Sequence, residues 1–225
     1  MEEEVDVAGD ATGLESRHVS HYFLLRRGKE RHVSRYPKLS ALCDCRTHIF
    51  IAAEVSKGPN RDVSEAPAML FEGVRRVLIR RVLLDAGYDS EELHMLIRDG
   101  LKSESIIPAT IGPKSSYPPA GKYRRMMREC FPKDVYGQRW QIESAFSRHK
   151  RVLGSALRAT SWSAQVNEIH ARILTHNLLI LLFLVLLLLL ILLFYRAQTN
   201  PNRGVTHCQI GRCESEDGRK YLTFT

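Results

Sequence analysis

Hydrophobic and polar positions change period several times along the chain, and each change marks an element. Val5-Asp-Val-Ala alternates and is β-prone, which predicts a short strand delivering Asp10 into a Thr12-Gly13 turn. Residues 18–25 predict a second strand, and residues 38–43 and 48–55 two more, split by a polar turn at 44–47. After the break at Gly58-Pro59-Asn60, a helix is expected to about Arg76, capped by Asp62 or Ser64, with Pro67 tolerated in its first turn. Residues 77–84, rich in Val, Leu and Ile, predict a buried parallel strand that ends at Asp85. Asp89 then predicts the cap of a helix reaching Leu101, with His94 and Arg98 on its surface. A strand at 105–110 and a flexible loop at 112–121 follow. A helix is expected from about Tyr136 to near Gly154, with Trp140, Ile142 and Phe146 able to face a core. Another is expected over 162–177, capped at Ser161 or Ser163.

The pattern then breaks. Residues 178–194 are 17 consecutive apolar positions, mostly Leu. As a helix they would be about 25 Å long, at the short edge of what spans a bilayer. A membrane anchor, a core helix and an altered reading of the gene beyond the folded domain compete here. A helix apolar all round needs cover on every side, and a chain of 225 residues has little to cover it with. The boundaries that follow are a domain at 1–177, an apolar, transmembrane-type helix at 178–195 and a polar tail at 196–225.

Charge narrows the partners. Thirty-three Lys and Arg stand against 25 Asp and Glu, a formal net charge of +8, which favours a polyanion: nucleic acid or an anionic membrane surface. The basic loop at 26–31, with Arg35 and Lys38, has the composition of a phosphate-contacting strip or of a solvated loop. Residues 122–128 could likewise track a DNA backbone or line a helix surface. Five Cys, an odd number with no signal peptide ahead of them, read as reduced thiols in the cytoplasm. A zinc site from Cys43, Cys45, Cys208 and Cys213 is the alternative.

The chemistry concentrates on one helical stripe. At 3.6 residues per turn Arg139 and Glu143 are i,i+4 neighbours, and Tyr136 and Lys150 lie about two turns either side of Glu143. A carboxylate flanked by Tyr, Arg and Lys on one face suits holding a metal beside a phosphate backbone. A solvated face with an ordinary ion pair is the competing reading. The spacing Tyr136-x2-Arg139-x3-Glu143-x6-Lys150 resembles the signature of DDE transposases of bacterial insertion sequences, in the branch named after insertion sequence four. Leu83-Leu84-Asp85-Ala86-Gly87-Tyr88-Asp89-Ser90 resembles that family's segment carrying the second catalytic Asp, and Asp10-Ala11-Thr12-Gly13 the segment carrying the first. Asp6 is a rival for the first position but lacks the Thr-Gly context.

The resemblance, over about residues 5–180, implies an α/β fold of ribonuclease-H-like type, a mixed central sheet with helices on both faces. It implies that Asp10, Asp85 and Glu143 are catalytic and bind two Mg²⁺, with Mn²⁺ able to substitute, and that Tyr136, Arg139 and Lys150 position DNA phosphates. It implies DNA strand cleavage followed by strand transfer, double-stranded DNA (element ends and target) as partner, and a homodimer as the active form. The relatives' N-terminal DNA-recognition region is expected to be missing, since Asp10 lies so near the start. The 58 residues between Asp85 and Glu143 leave no room for the β insertion that some relatives carry there. A nuclease without strand transfer and an inactive, membrane-anchored DNA-binding remnant are the rival functions.

Overall fold

A computed structural model describes residues 4–15, 36–110 and 119–199. The strand expected at 18–25, the basic loop at 26–31, Arg35, most of the loop at 112–121 and the tail beyond Thr199 lie outside the described residues.

Five strands form one mixed sheet in the order β3-β2-β1-β4-β5. β1 (Val5–Gly13), β2 (Tyr36–Asp44) and β3 (Phe50–Gly58) are antiparallel neighbours. β4 (Ile79–Leu83) and β5 (Glu104–Ile106) run parallel to β1. The turn between β2 and β3 is held by the Asp44 carboxylate, which accepts from Arg46 N at 3.1 Å, Thr47 N at 3.2 Å and Thr47 Oγ1 at 2.5 Å. β1 is longer than its sequence predicts. Residues 7–13 pair with β2, so Asp10 sits within the strand opposite Ala41 and not in a terminal turn. Nine residues of antiparallel partner supply ladder hydrogen bonds that local propensity could not reveal.

Alternation along the strands builds a core on each face. Val7, Leu42, Val82 and Leu84 point to one side, under α1 (Ala66–Val74) and α2 (Glu91–Met95, continued by one wider turn, Leu96–Gly100). Ala8, Leu39, Ala41, Cys43 and Leu83 point to the other. There they meet Ile142, Ala145 and Phe146 of α5 (Trp140–Leu153) and Ile169 of α6 (Trp162–Thr199). α3 (Lys122–Glu129) and α4 (Lys133–Tyr136) connect the two halves. The expected ribonuclease-H-like mixed sheet with helices on both faces is thus present, and so is the long apolar C-terminal helix.

Several local expectations change. α1 begins after a short turn at Asp62–Ser64, and Glu65 precedes it without a side-chain cap. Ser64 instead donates to Arg61 O at 2.7 Å. Ser90, not Asp89, caps α2, because Asp89 is taken by Arg124 at 2.6 and 2.8 Å. His94 is fully buried, bonded to Ser105 Oγ at 2.6 Å, not on the surface. Lys38, read from the sequence as facing either phosphate or solvent, is instead buried with Glu65 at 3.3 Å. Trp140 is 55% exposed, while Ile142 and Phe146 are buried as expected. Ser161 caps α6, accepting from Ala164 N at 3.3 Å, and the helix runs past Asn177 without a break.

Midway along its length α6 is hydrogen-bonded to the start of the outer strand. The Asn177 amide accepts from Phe50 N and donates to Phe50 O, both at 2.9 Å, and His176 donates to His48 O at 3.2 Å.

Candidate active site

The parallel register of β1 with β4 runs to Ala8 opposite Leu83. Asp10, still within β1, and Asp85, just past β4, each lie two residues beyond the last pair of that ladder. Side chains pack tightly over Gly9: a Cβ there would fall 2.5 Å from the Leu84 side chain and 2.8 Å from that of Leu42, so a larger residue would require both leucines to shift. The Asp10 carboxylate accepts from Ala11 N at 2.8 Å. Burial, chiefly, holds it above the ordinary aspartate range. The charge of Asp85 adds to that rise, and the Ala11 N–H and Arg139 oppose it.

Asp85 follows β4 directly and also closes a turn, accepting from Gly87 N at 2.6 Å. That contact uses one oxygen and leaves its charge within range of Asp10. Asp6, the rival first carboxylate, is held by Arg80 at 2.6 and 2.9 Å and by Arg81 at 3.4 Å. It is committed to those ion pairs.

The third acidic group comes from α5, which packs against β1 and β2. α4, a tight turn at Gly137–Arg139 and α5 replace the single helix expected from Tyr136. α5 ends at Gly154 (φ +87°), as its sequence predicts. Arg139 donates to Asp10 Oδ2 at 3.2 Å through one guanidinium nitrogen and to Glu143 Oε1 through another. The Tyr136 hydroxyl is raised above its usual pKa by burial first, with Arg139 opposing, and then by Asp85, Asp10 and Glu143 together. Lys150 reaches back to β1 and donates to Thr12 Oγ1 at 2.6 Å, and burial pulls its ammonium pKa down.

The sequence marked Thr12 only as part of a Thr-Gly turn and not as the partner of Lys150, although a signal for a shared face was there. Thr12 stands two residues from Asp10, and i,i+2 side chains of a strand share a face. Gln141, bonded to His48, had no comparable mark.

The donor set is all carboxylate oxygen, which suits a hard divalent cation, and the neighbour it already grips is itself a cation. No group of three His, Cys, Asp or Glu among the described residues is drawn closely enough together to hold an ion. The guanidinium of Arg139 stands between two of the three acids here. A cleft of about 470 Å³ lies elsewhere, lined by Phe50, Phe71, Arg75 and His170 among others, and contains none of the three acids.

A mixed five-stranded sheet with helices on both faces, two candidate acids on neighbouring parallel strands and a third on the helix packed against them, is the arrangement of a ribonuclease-H-like fold. The family described as transposase DDE domain matches residues 4–178, more than three quarters of the chain, and the chain belongs to that family. Such domains bind DNA and in general use divalent metal ions. No curated protein matches the chain.

Proposed function

We propose that this domain belongs to the insertion-sequence-four branch with the Tyr-Arg-Glu-Lys signature, and that it cuts DNA at element ends and joins them to a target. Water breaks one P–O bond at each end and frees a 3′-hydroxyl; that hydroxyl then attacks a target phosphodiester and displaces a target 3′-oxygen. The reading is supported by Arg139, which bonds both Asp10 and Glu143 although they lie 133 residues apart, and by Asp85, which follows the strand that runs parallel beside Asp10. Asp10, Asp85 and Glu143 would hold two Mg²⁺, or Mn²⁺, through oxygen. When bound, the ions would neutralise charge at phosphorus and help ionise the attacking oxygen. The chain's own cations do the rest. Lys150, fixed by Thr12, and Arg139 bind backbone phosphates, and the Tyr136 hydroxyl donates to another without reading bases.

Incubation of the full chain with pre-cleaved element ends and a target plasmid tests this. Joined products in Mg²⁺ or Mn²⁺ are expected; cleavage with no joining would select the plain nuclease. Lys150→Ala should weaken end binding and lower the slope of log K against log salt by about one. An unchanged slope would remove Lys150 from the phosphate contacts. Activity as a homodimer is part of the same proposal: the full chain bound to end DNA in mild detergent should sediment as a dimer, and joining by a monomeric species would overturn it.

A second reading, a membrane anchor on the domain, is favoured by exposure along the apolar run. Each residue from Leu181 to Tyr195 leaves 44–67% of its surface open. A protein groove covers one stripe of a helix, whereas lipid covers all sides. The full chain should stay with membranes through an alkaline carbonate wash, and Leu186→Arg, about 3 kcal/mol unfavourable at mid-bilayer, should release part of it. Full recovery of the unaltered chain in the wash would rule the anchor out.

A further inference from the structure

We infer that Arg139 is a resident counter-cation of the Asp10–Glu143 pair, holding the two acids in place until divalent ions displace its guanidinium. The inference rests on the assignment of Asp10 and Glu143 as metal ligands. One planar group spans an acid on β1 and an acid on α5, with 19% of its side chain exposed. Two like charges brought together from distant parts of a chain repel unless a cation lies between them, and a guanidinium offers two parallel donors for that purpose. Arg139 stands in the tight turn before α5, and its partly exposed side chain gives the guanidinium a route towards solvent. Arg139 is thus a positioning residue before metal enters, and is set free to meet DNA only afterwards. Ion binding and phosphate binding become ordered events.

The opposing demands separate by experiment. Mn²⁺ binding to the full chain in mild detergent without DNA is measured by the electron spin resonance of free Mn²⁺, and melting is followed in EDTA and in saturating Mn²⁺. Arg139→Ala should bind Mn²⁺ about tenfold tighter, because no charged hydrogen bonds need breaking. It should also melt lower than the wild type in EDTA, with that deficit shrinking in Mn²⁺. Arg148→Ala removes an exposed charge nine residues along and half a turn round, and should leave the affinity unchanged. Equal or weaker binding by Arg139→Ala overturns the inference, as does equal tightening by Arg148→Ala, which would be a general field effect. Asp10→Asn separates the two layers: undiminished binding there overturns the ligand assignment as well. Loss there, with no gain in Arg139→Ala, overturns the counter-cation role alone.

Discussion

Glu143→Ala should reduce strand cleavage by about a thousandfold, a loss of about 4 kcal/mol of transition-state stabilisation, while DNA-end affinity stays within about twofold. The separation follows from where the residue sits. Glu143 is 55% exposed on the outer face of α5, and its fixed partner is Arg139, so truncation opens no cavity and should cost well under 1 kcal/mol of stability. Its neighbour Ile142 is fully buried, and Ile142→Ala should cost about 2–5 kcal/mol through a cavity and lost burial. The pair distinguishes chemistry from folding. Gel assays of nicking and retardation on one preparation suffice; full cleavage by the Glu143 variant in Mg²⁺ would end its assignment as a ligand.

The second large effect is on stability in mild acid. His149 of α5 is fully buried, its ring edge-on to Phe50 at 5.9 Å and near His176, and among the described residues neither ring nitrogen has a partner. Burial, then His176, Arg172 and Lys150, press its pKa from 6.5 down to about 4. Above pH 6.5 the ring is neutral in both the folded and the unfolded chain, and stability does not depend on it. As pH falls from 6.5 towards 4 the unfolded chain takes up the proton first, so stability drops by up to about 3 kcal/mol. Below pH 4 this group takes nothing more. His149→Leu should flatten the fall between pH 6.5 and 4.5 in denaturant titrations. Parallel curves for variant and wild type would show that other groups control it.

How far the site could be read from sequence depended on whether the determinants were local. Asp85 was visible because an apolar run, an acid and a glycine turn stand together, and the end of α5 because Gly154 ends a periodic stretch. The Arg139–Glu143 bond was visible as i,i+4 spacing. The environment of Asp10 was not, since the partner that extends β1 through it is about thirty residues away in β2. The same holds for Lys38 and His94, polar residues placed inside by partners that no local pattern announces: Glu65 for one, Ser105 for the other. Asp89 has the composition of a helix cap, but a distant Arg124 competes for it and wins with two charged contacts. What stayed hidden is therefore long-range pairing of polar groups, whereas apolar periodicity revealed most of the sheet and the helices flanking it.

The Asn177 amide makes with Phe50 the two bonds that a neighbouring backbone would make. β3 is the outermost strand on its side, and its free amide and carbonyl groups form a template for another chain. By imitating a peptide unit at Phe50, a single side chain blunts that template where the strand is most apolar. Asn177→Ala should therefore be felt less as lost activity than as a tendency of concentrated protein to join edge to edge, one molecule's sheet continuing into the next.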